Sequence, residues 1–251
     1  MSILSVVSLT NGGYAESKGK HIKYSKFFNL TTSKLQNDQQ IVKMASRNGM
    51  FLLYAPAFLV GLVSFVVFYD RDQDLRFLMV ISALTIHFLK RVIEVLLVHK
   101  YSGYIALEAV IPISLSYAIS TATMIYAQYL SQASLEPLID LKHVGVALFL
   151  VGITGNFYHH LILSTLRKND DKQYKIPKGG LFDLVTCPHY LFEIIGFIGV
   201  SCISQTMYSV CFLMGTISYL TGRSFATREW YVSKFGEKFN KDVKALVPYV
   251  L

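Results

Sequence analysis

The chain has 251 residues, of which 53% are hydrophobic, 14% aromatic and only 16% charged, with a mean hydropathy of +0.42. A soluble domain carries about a quarter of its residues as charges, so these proportions exclude the ordinary soluble class and indicate a polytopic membrane protein. The net charge of +8 is accounted for below by the membrane, without nucleic acid as a partner.

Residues 1–10, MSILSVVSLT, are apolar but too short to cross a bilayer. They lack the basic start and small-residue cleavage site of a signal peptide. The expectation is the end of a first helix, either short or begun before the sequence starts. Six further apolar segments follow at 48–69, 77–98, 104–130, 143–166, 188–203 and 205–222. Each is long enough, or nearly so, to cross about 30 Å of hydrocarbon. The predicted fold is therefore an all-α membrane protein of about seven helices forming a single membrane domain, 1–251.

Charge placement predicts orientation, because basic loops stay cytosolic. Of the 24 Lys and Arg, nineteen fall in 11–47, at Lys100, in 167–180 and in the tail from Arg223. The alternate loops hold only Arg71, Arg76 and Lys142. The C-terminal region is thus expected to face the cytosol, where a basic rim suits anionic head groups or a phosphorylated cofactor. Cys187, Cys202 and Cys211 are odd in number and sit in or beside apolar segments, so no disulfide framework is expected. No metal site is expected either.

Polar residues inside apolar segments mark candidate functional positions, since a charge at the centre of a membrane helix costs roughly 2.5–3.5 kcal/mol. The third segment contains HFLKRVIEVLLVHKYSG. In it Lys90 and Glu94 are four residues apart and able to pair along a helix. Two readings stay open: self-neutralisation with Lys90 and Arg91 snorkelling to the interface, or a cation beside a bound polar substrate. In the fifth segment Asn156, His160 and Arg167 share a helical face, because steps of 4 and 11 residues return close to whole turns. That face either joins helices by hydrogen bonds or meets a ligand. His159, about 100° away, is expected to be structural.

The densest block is YKIPKGGLFDLVTCPHYLFE, residues 174–193. Gly179 and Gly180 permit close backbone approach, against which a phosphate or ribose could lie. Pro188 suits a helix start with Thr186 near the cap. Tyr190, Glu193 and Phe197 then project along one face, and His189 and Glu193 either satisfy one another or meet a ligand. The closing block, from Gly222 to Leu251, is an amphipathic basic tail able to cover an opening between helices.

These residues resemble the steroid 5-alpha-reductase and trans-2-enoyl-CoA reductase family of endoplasmic-reticulum membrane enzymes. The resemblance is carried by Tyr174-Lys175-Ile176-Pro177, Gly179-Gly180-Leu181-Phe182, Cys187-Pro188-His189-Tyr190, Glu193, Trp230-Tyr231, Phe235-Gly236 and Pro248. It is specific over about the last hundred residues, with 150–251 as the family-defining region, and extends upstream through Gly155-Asn156 to Arg167. The stretch from His87 to Ser102 is most similar to the enoyl-CoA reductase branch. Residues 13–28 and 49–56 resemble plant members of the steroid reductases.

The resemblance implies a seven-helix bundle holding NADPH in a cytosol-facing cavity, with hydride delivered to a carbon–carbon double bond conjugated to a carbonyl. Carried over by position, the cofactor shell is Asn156, His160, Arg167, Tyr174, His189, Glu193, Arg223 and Tyr231. Where steroid reductases grip the ketone with a carboxylic acid and a tyrosine, this chain has Tyr54 and Phe88, and Phe88 cannot donate a hydrogen bond. The lysine and tyrosine of the enoyl-CoA branch correspond to Lys90 and Tyr190, giving Tyr190 as proton donor and Lys90 as electrostatic support or thioester polariser, with Tyr54 able to donate only through its hydroxyl. His189 stands where Asn is usual, and Thr227 where steroid reductases often carry His.

The implied substrate is a steroid 4-en-3-one or a long-chain trans-2-enoyl-CoA, and other enzymes of lipid metabolism are possible partners. Two alternatives accompany this reading. One is a membrane methyltransferase using S-adenosylmethionine, whose C-terminal pattern is similar but whose Arg-His-Pro run and paired acids are missing here. The other is a non-catalytic lipid-binding member of the family.

Overall fold

The computed structural model describes residues 2–22, 42–68, 74–132, 137–166 and 173–251. Seven α-helices run through the described residues: α1 Ser2–Ser17, α2 Ser46–Val67, α3 Leu75–Ile93, α4 Leu107–Ser131, α5 Lys142–Thr165, α6 Pro188–Ser204 and α7 Met207–Phe235. A π-helical turn, Glu94–Val98, continues α3. Two strands, β1 Lys43–Ala45 and β2 Tyr104–Ala106, form a short antiparallel ladder with Met44 opposite Ile105. The all-α expectation is corrected to this extent. A three-residue strand offers too little alternation to be seen in a sequence.

Among the described residues, three helices are long and apolar enough to cross a membrane: α2, α4 and α5. The 17-residue α6 is a shorter apolar helix. The protein is thus a helical membrane protein, and the remaining segments are less simple than their hydropathy suggests. Helix α3 carries Arg76, Lys90 and Arg91 within 19 residues. Helix α7 runs thirteen residues beyond the apolar stretch expected to end at 222, stopping at Gly236, whose positive φ of 56° breaks the helix and suits glycine.

The chain divides into two compact units, residues 1–20 with 137–251, and residues 21–136. In the first unit α1 packs along α7 and α5 along α6, with glycine at the points of closest approach. A Cβ on Gly145 would lie 2.6 Å from the Gly199 carbonyl oxygen, and one on Gly152 would strike the backbone of Gly196. Gly13 and Gly222 bring α1 against α7 in the same way. Without a hydrophobic driving force between helices in lipid, close backbone packing of this kind supplies the attraction.

The tail after α7 folds back onto the loop that leads into α6. Lys244 N–H donates to the Leu184 carbonyl at 2.9 Å, while Thr186 and Cys187 N–H donate to the carbonyls of Lys244 and Ala245 at 2.8 and 3.1 Å. Arg228 on α7 clamps the tail, with Nε donating to the Val243 carbonyl and Nη2 to that of Lys241, at 2.8 and 2.6 Å. Leu246 and Val247 then pack with Tyr190, Ile194 and Leu220. The tail covers the start of α6.

In the second unit α2 packs on α3 and α4. Its core is Leu53, Tyr54, Ala57, Phe88, Val92, Val95, Ile105 and Val110. Asp74 caps α3, its Oδ1 accepting from Arg76 N–H at 3.1 Å, a bond that satisfies one orphan donor of the first turn.

Candidate functional site

Within the first unit, the face predicted from Asn156 and His160 is buried, at 2% and 4% exposure. An amide costs too much to leave unsatisfied at such depth, and Asn156 Nδ2 donates to the backbone carbonyl of His189 at 2.7 Å. The His160 ring lies 5.4 Å from the His189 ring, which lies 4.3 Å from Tyr190. Asn156, His160, His189 and Tyr190 therefore form one constellation where α5 meets the start of α6. Glu193 follows one turn later on α6 and is half-buried. Arg167 lies outside the described residues.

His159 does what its angular position suggested. Its Nδ1 donates to the Gly155 carbonyl at 2.7 Å, and its Nε2 accepts from Leu181 N–H at 3.1 Å. An imidazole that accepts on one nitrogen and donates on the other is the neutral tautomer, and here it ties α5 to the loop before α6. Gly180 has a φ of 56°, and a Cβ there would lie 2.9 Å from His159 Nε2. Gly180 thus has a packing reason of its own. Pro188 opens α6 as expected, with Cys187 at the cap position and Thr186 next to it; Thr186 Oγ1 donates to the Lys244 carbonyl at 3.0 Å.

The remaining predicted residues of this unit fall into two groups. Tyr174 packs edge-on against Trp230 at 4.8 Å, and Tyr231 stacks on Phe235 and Phe239 at 5.8 and 5.5 Å. Lys234 Nζ sits 5.5 Å above both Tyr174 and Trp230, a favourable cation–π arrangement. Burial, and then Cys187 and Tyr174 nearby, push the Tyr231 phenol upward, so it stays neutral. Arg223 is buried and bonded through Nη1 to Glu16 Oε1 at 2.6 Å. Sequence reasoning missed Glu16, for the pair is 207 residues apart and no local period announces it.

In the second unit the open choice over Lys90 and Arg91 resolves inward for arginine. Glu94 is fully buried and receives Lys90 Nζ at 3.0 Å and Arg91 Nη1 at 2.7 Å. Arg91 Nη2 donates to the Tyr54 hydroxyl oxygen at 2.6 Å, and its guanidinium lies 4.6 Å from the Tyr54 ring. Tyr117 stacks on that phenol at 5.7 Å with a 12° interplanar angle. Arg91 does not snorkel. The i to i+3 spacing to Glu94 was visible in the sequence, but Tyr54, 37 residues away, was not. Nearby, His99 is lowered to about 4 by burial and by the charge of Arg91, and burial holds the Tyr101 phenol above its usual range.

The family model for 3-oxo-5-alpha-steroid 4-dehydrogenase matches residues 105–251, more than half of the chain, and it includes the Asn156, His160, His189 and Tyr190 constellation. The chain belongs to this family. This steroid dehydrogenase family member is 39% identical over 106 residues to the steroid 5-alpha-reductase DET2 of Gossypium hirsutum, covering 42% of this chain and 41% of that protein. It is 29% identical over 172 residues to a very-long-chain enoyl-CoA reductase of Dictyostelium discoideum, covering 66% and 56%. With the 3-oxo-5-alpha-steroid 4-dehydrogenase 1 of Rattus norvegicus it shares 36% over 131 residues, covering 51% and 50%. The matches span about half the length of these relatives.

Proposed function

We propose that this family member reduces a carbon–carbon double bond conjugated to a carbonyl in a lipid substrate, using NADPH, in the endoplasmic-reticulum membrane with its C-terminal tail on the cytosolic side. The observation that carries the reading is the constellation of buried Asn156 and His160 with half-buried His189 and Tyr190 inside the matched region. Polar groups at that depth in apolar helices are expensive unless they serve a ligand or one another. The relatives' names supply the chemistry, steroid reduction or enoyl-CoA reduction.

The donor set fits the cofactor: an amide, two imidazoles, a carboxylate, arginine and two phenols offer both donors and acceptors. Asn156, His160, Arg167, Tyr174, His189, Glu193, Arg223 and Tyr231 would hold it, with arginine suited to phosphate through planar, charge-assisted hydrogen bonds. When bound, NADPH supplies the hydride to the double bond. Tyr190 would donate a proton to the α carbon. Leu246 and Val247 pack in the same apolar cluster as Tyr190. The enoyl-CoA reductase match covers 66% of this chain, which supports a thioester substrate beside the steroid enone.

The test is NADPH oxidation by microsomes containing the full chain, with a steroid enone and a long-chain 2-enoyl-CoA offered separately. Oxidation is expected to depend on one of them. Tyr190→Phe should lower kcat by about 10²–10⁴-fold with NADPH affinity unchanged, whereas Arg167→Ala should weaken NADPH binding. Equal loss of cofactor binding in both variants would overturn the assignment of roles, and substrate-independent oxidation would overturn the reaction.

A further inference from the structure

The entry of α6 is held by a part of the chain some sixty residues away. Cys187 occupies the cap position and makes no side-chain cap bond. Its carbonyl opens the helix, accepting from the N–H groups of Tyr190 and Leu191 at 3.0 and 3.3 Å. The Cys187 N–H in turn donates to the Ala245 carbonyl at 3.1 Å, and Thr186 donates twice to the Lys244 carbonyl, through N–H at 2.8 Å and Oγ1 at 3.0 Å. The residue that starts α6 is thus fixed by the tail.

Helix α7 in turn fixes the tail. One guanidinium reaches two carbonyls, with Arg228 Nε donating to Val243 at 2.8 Å and Nη2 to Lys241 at 2.6 Å. Such charge-assisted bonds are stronger than neutral ones, and the planar fork engages two acceptors in a fixed geometry where an ammonium is a single point charge. Beyond Val243 the strap runs on to Leu246 and Val247, which share the apolar cluster of Tyr190. Bonds therefore lead from Arg228 through the tail backbone and Cys187 to the N–H of Tyr190, all within the first unit. The Cys187 side chain is buried, at 0% exposure.

We propose that Arg228 is a positioning residue for the reduction: by gripping the carbonyls of Lys241 and Val243 it holds the 241–247 strap on the entry of α6, and the strap sets the first turn that carries His189 and Tyr190. This rests on the reductase reading, in which those two residues meet cofactor and substrate. Loss of the grip lets that turn shift, and a displacement of about 1 Å in a catalytic constellation costs on the order of 100-fold in rate.

The experiment uses the full chain in detergent with Cys202→Ser and Cys211→Ser, which leaves Cys187 as the single thiol. Into this background go Arg228→Met, Arg228→Lys, Thr186→Val, and Arg228→Met together with Thr186→Val. The readouts are the rate of Cys187 modification by N-ethylmaleimide well below the thermal midpoint, and kcat and KM per folded molecule for a steroid enone and a long-chain 2-enoyl-CoA. Arg228→Met is expected to speed labelling by about 10- to 100-fold, the scale of losing a hydrogen bond from a charged donor. It should lower kcat by about tenfold or more, with KM little changed. Arg228→Lys should fall between Arg228→Met and the background protein in both readouts. The double variant should change labelling by less than the product of its single changes, since the two side chains hold one strap.

An unchanged labelling rate in Arg228→Met overturns the strap, and faster labelling with unchanged kcat overturns the positioning role. Should Arg228→Met fail to fold, Arg228→Lys and Thr186→Val carry the same two readouts and the same outcomes decide. If the background protein turns over neither substrate, the reductase reading fails and the positioning role with it. The labelling rates then still decide whether Arg228 holds the strap.

Discussion

Glu16 and Arg223 form the pair on which the joint of α1 and α7 turns, at 1% and 2% exposure. Removing one partner of a buried ion pair leaves an uncompensated charge and costs about 3–5 kcal/mol. Glu16→Ala is therefore expected to lower the thermal midpoint sharply, while Glu16→Leu combined with Arg223→Met recovers most of the loss. Differential scanning fluorimetry in detergent checks this, and a double variant no better than the single one would show that the pair is not the cause. His99 gives a pH prediction. Its pKa falls from 6.5 to about 4 in the folded protein, so below pH 6.5 the unfolded chain binds the proton more readily, and stability is lost as pH falls toward 4. His99→Gln should flatten that acid limb of the stability–pH curve, and an unchanged limb would remove His99 as its source. At this scale the structure brings together four of the residues named from the sequence in the first unit. Asn156, His160, His189 and Tyr190 meet because i to i+4 spacing on α5 and adjacency at the start of α6 both survive folding.

The helices themselves were legible to within a few residues for five apolar segments, from 48–69, observed as Ser46–Val67, to 188–203, observed as Pro188–Ser204. Hydropathy and length carry that information directly. It failed at ends where tertiary contacts rule. Helix α7 continues to Phe235 because Tyr231 and Phe235 enter a stack with Phe239, which a window of mean hydropathy cannot see. The π-helical turn at Glu94–Val98 closes with His99 N–H on the Glu94 carbonyl at 2.7 Å. Insertions of this kind are often found at functional sites, and here one begins at the carboxylate that holds Arg91. Packing of α5 on α6 supplies a prediction at the same scale. Gly152→Val would place side-chain atoms against the Gly196 backbone, and overpacking of this sort typically costs about 1–3 kcal/mol. The variant should lower the thermal midpoint and the yield of folded protein. A wild-type midpoint would show that the two helices can separate freely.

For the whole molecule, basic-loop bias predicts the side of the membrane on which each end of a helix lies. In sealed microsomes a Lys241→Cys variant, with Cys202 and Cys211 changed to Ser, should react with an impermeant maleimide at once, since the tail is exposed and expected to face the cytosol. Ile139→Cys, on the exposed turn before α5, should react only after permeabilisation. The opposite pattern would invert the orientation. The sequence by itself determined that the chain is a helical membrane protein, where most of its helices run, and which family's motifs it carries. Those properties follow from composition, periodicity and short spacings, all local along the chain. Only the tertiary structure decided the partners of the charged groups: Glu16 with Arg223, Arg91 with Glu94 and Tyr54, and Thr186 with the tail. Burial makes a charge seek the nearest compensating group in space, and the chain must be folded before distance in space has any bearing on distance in sequence.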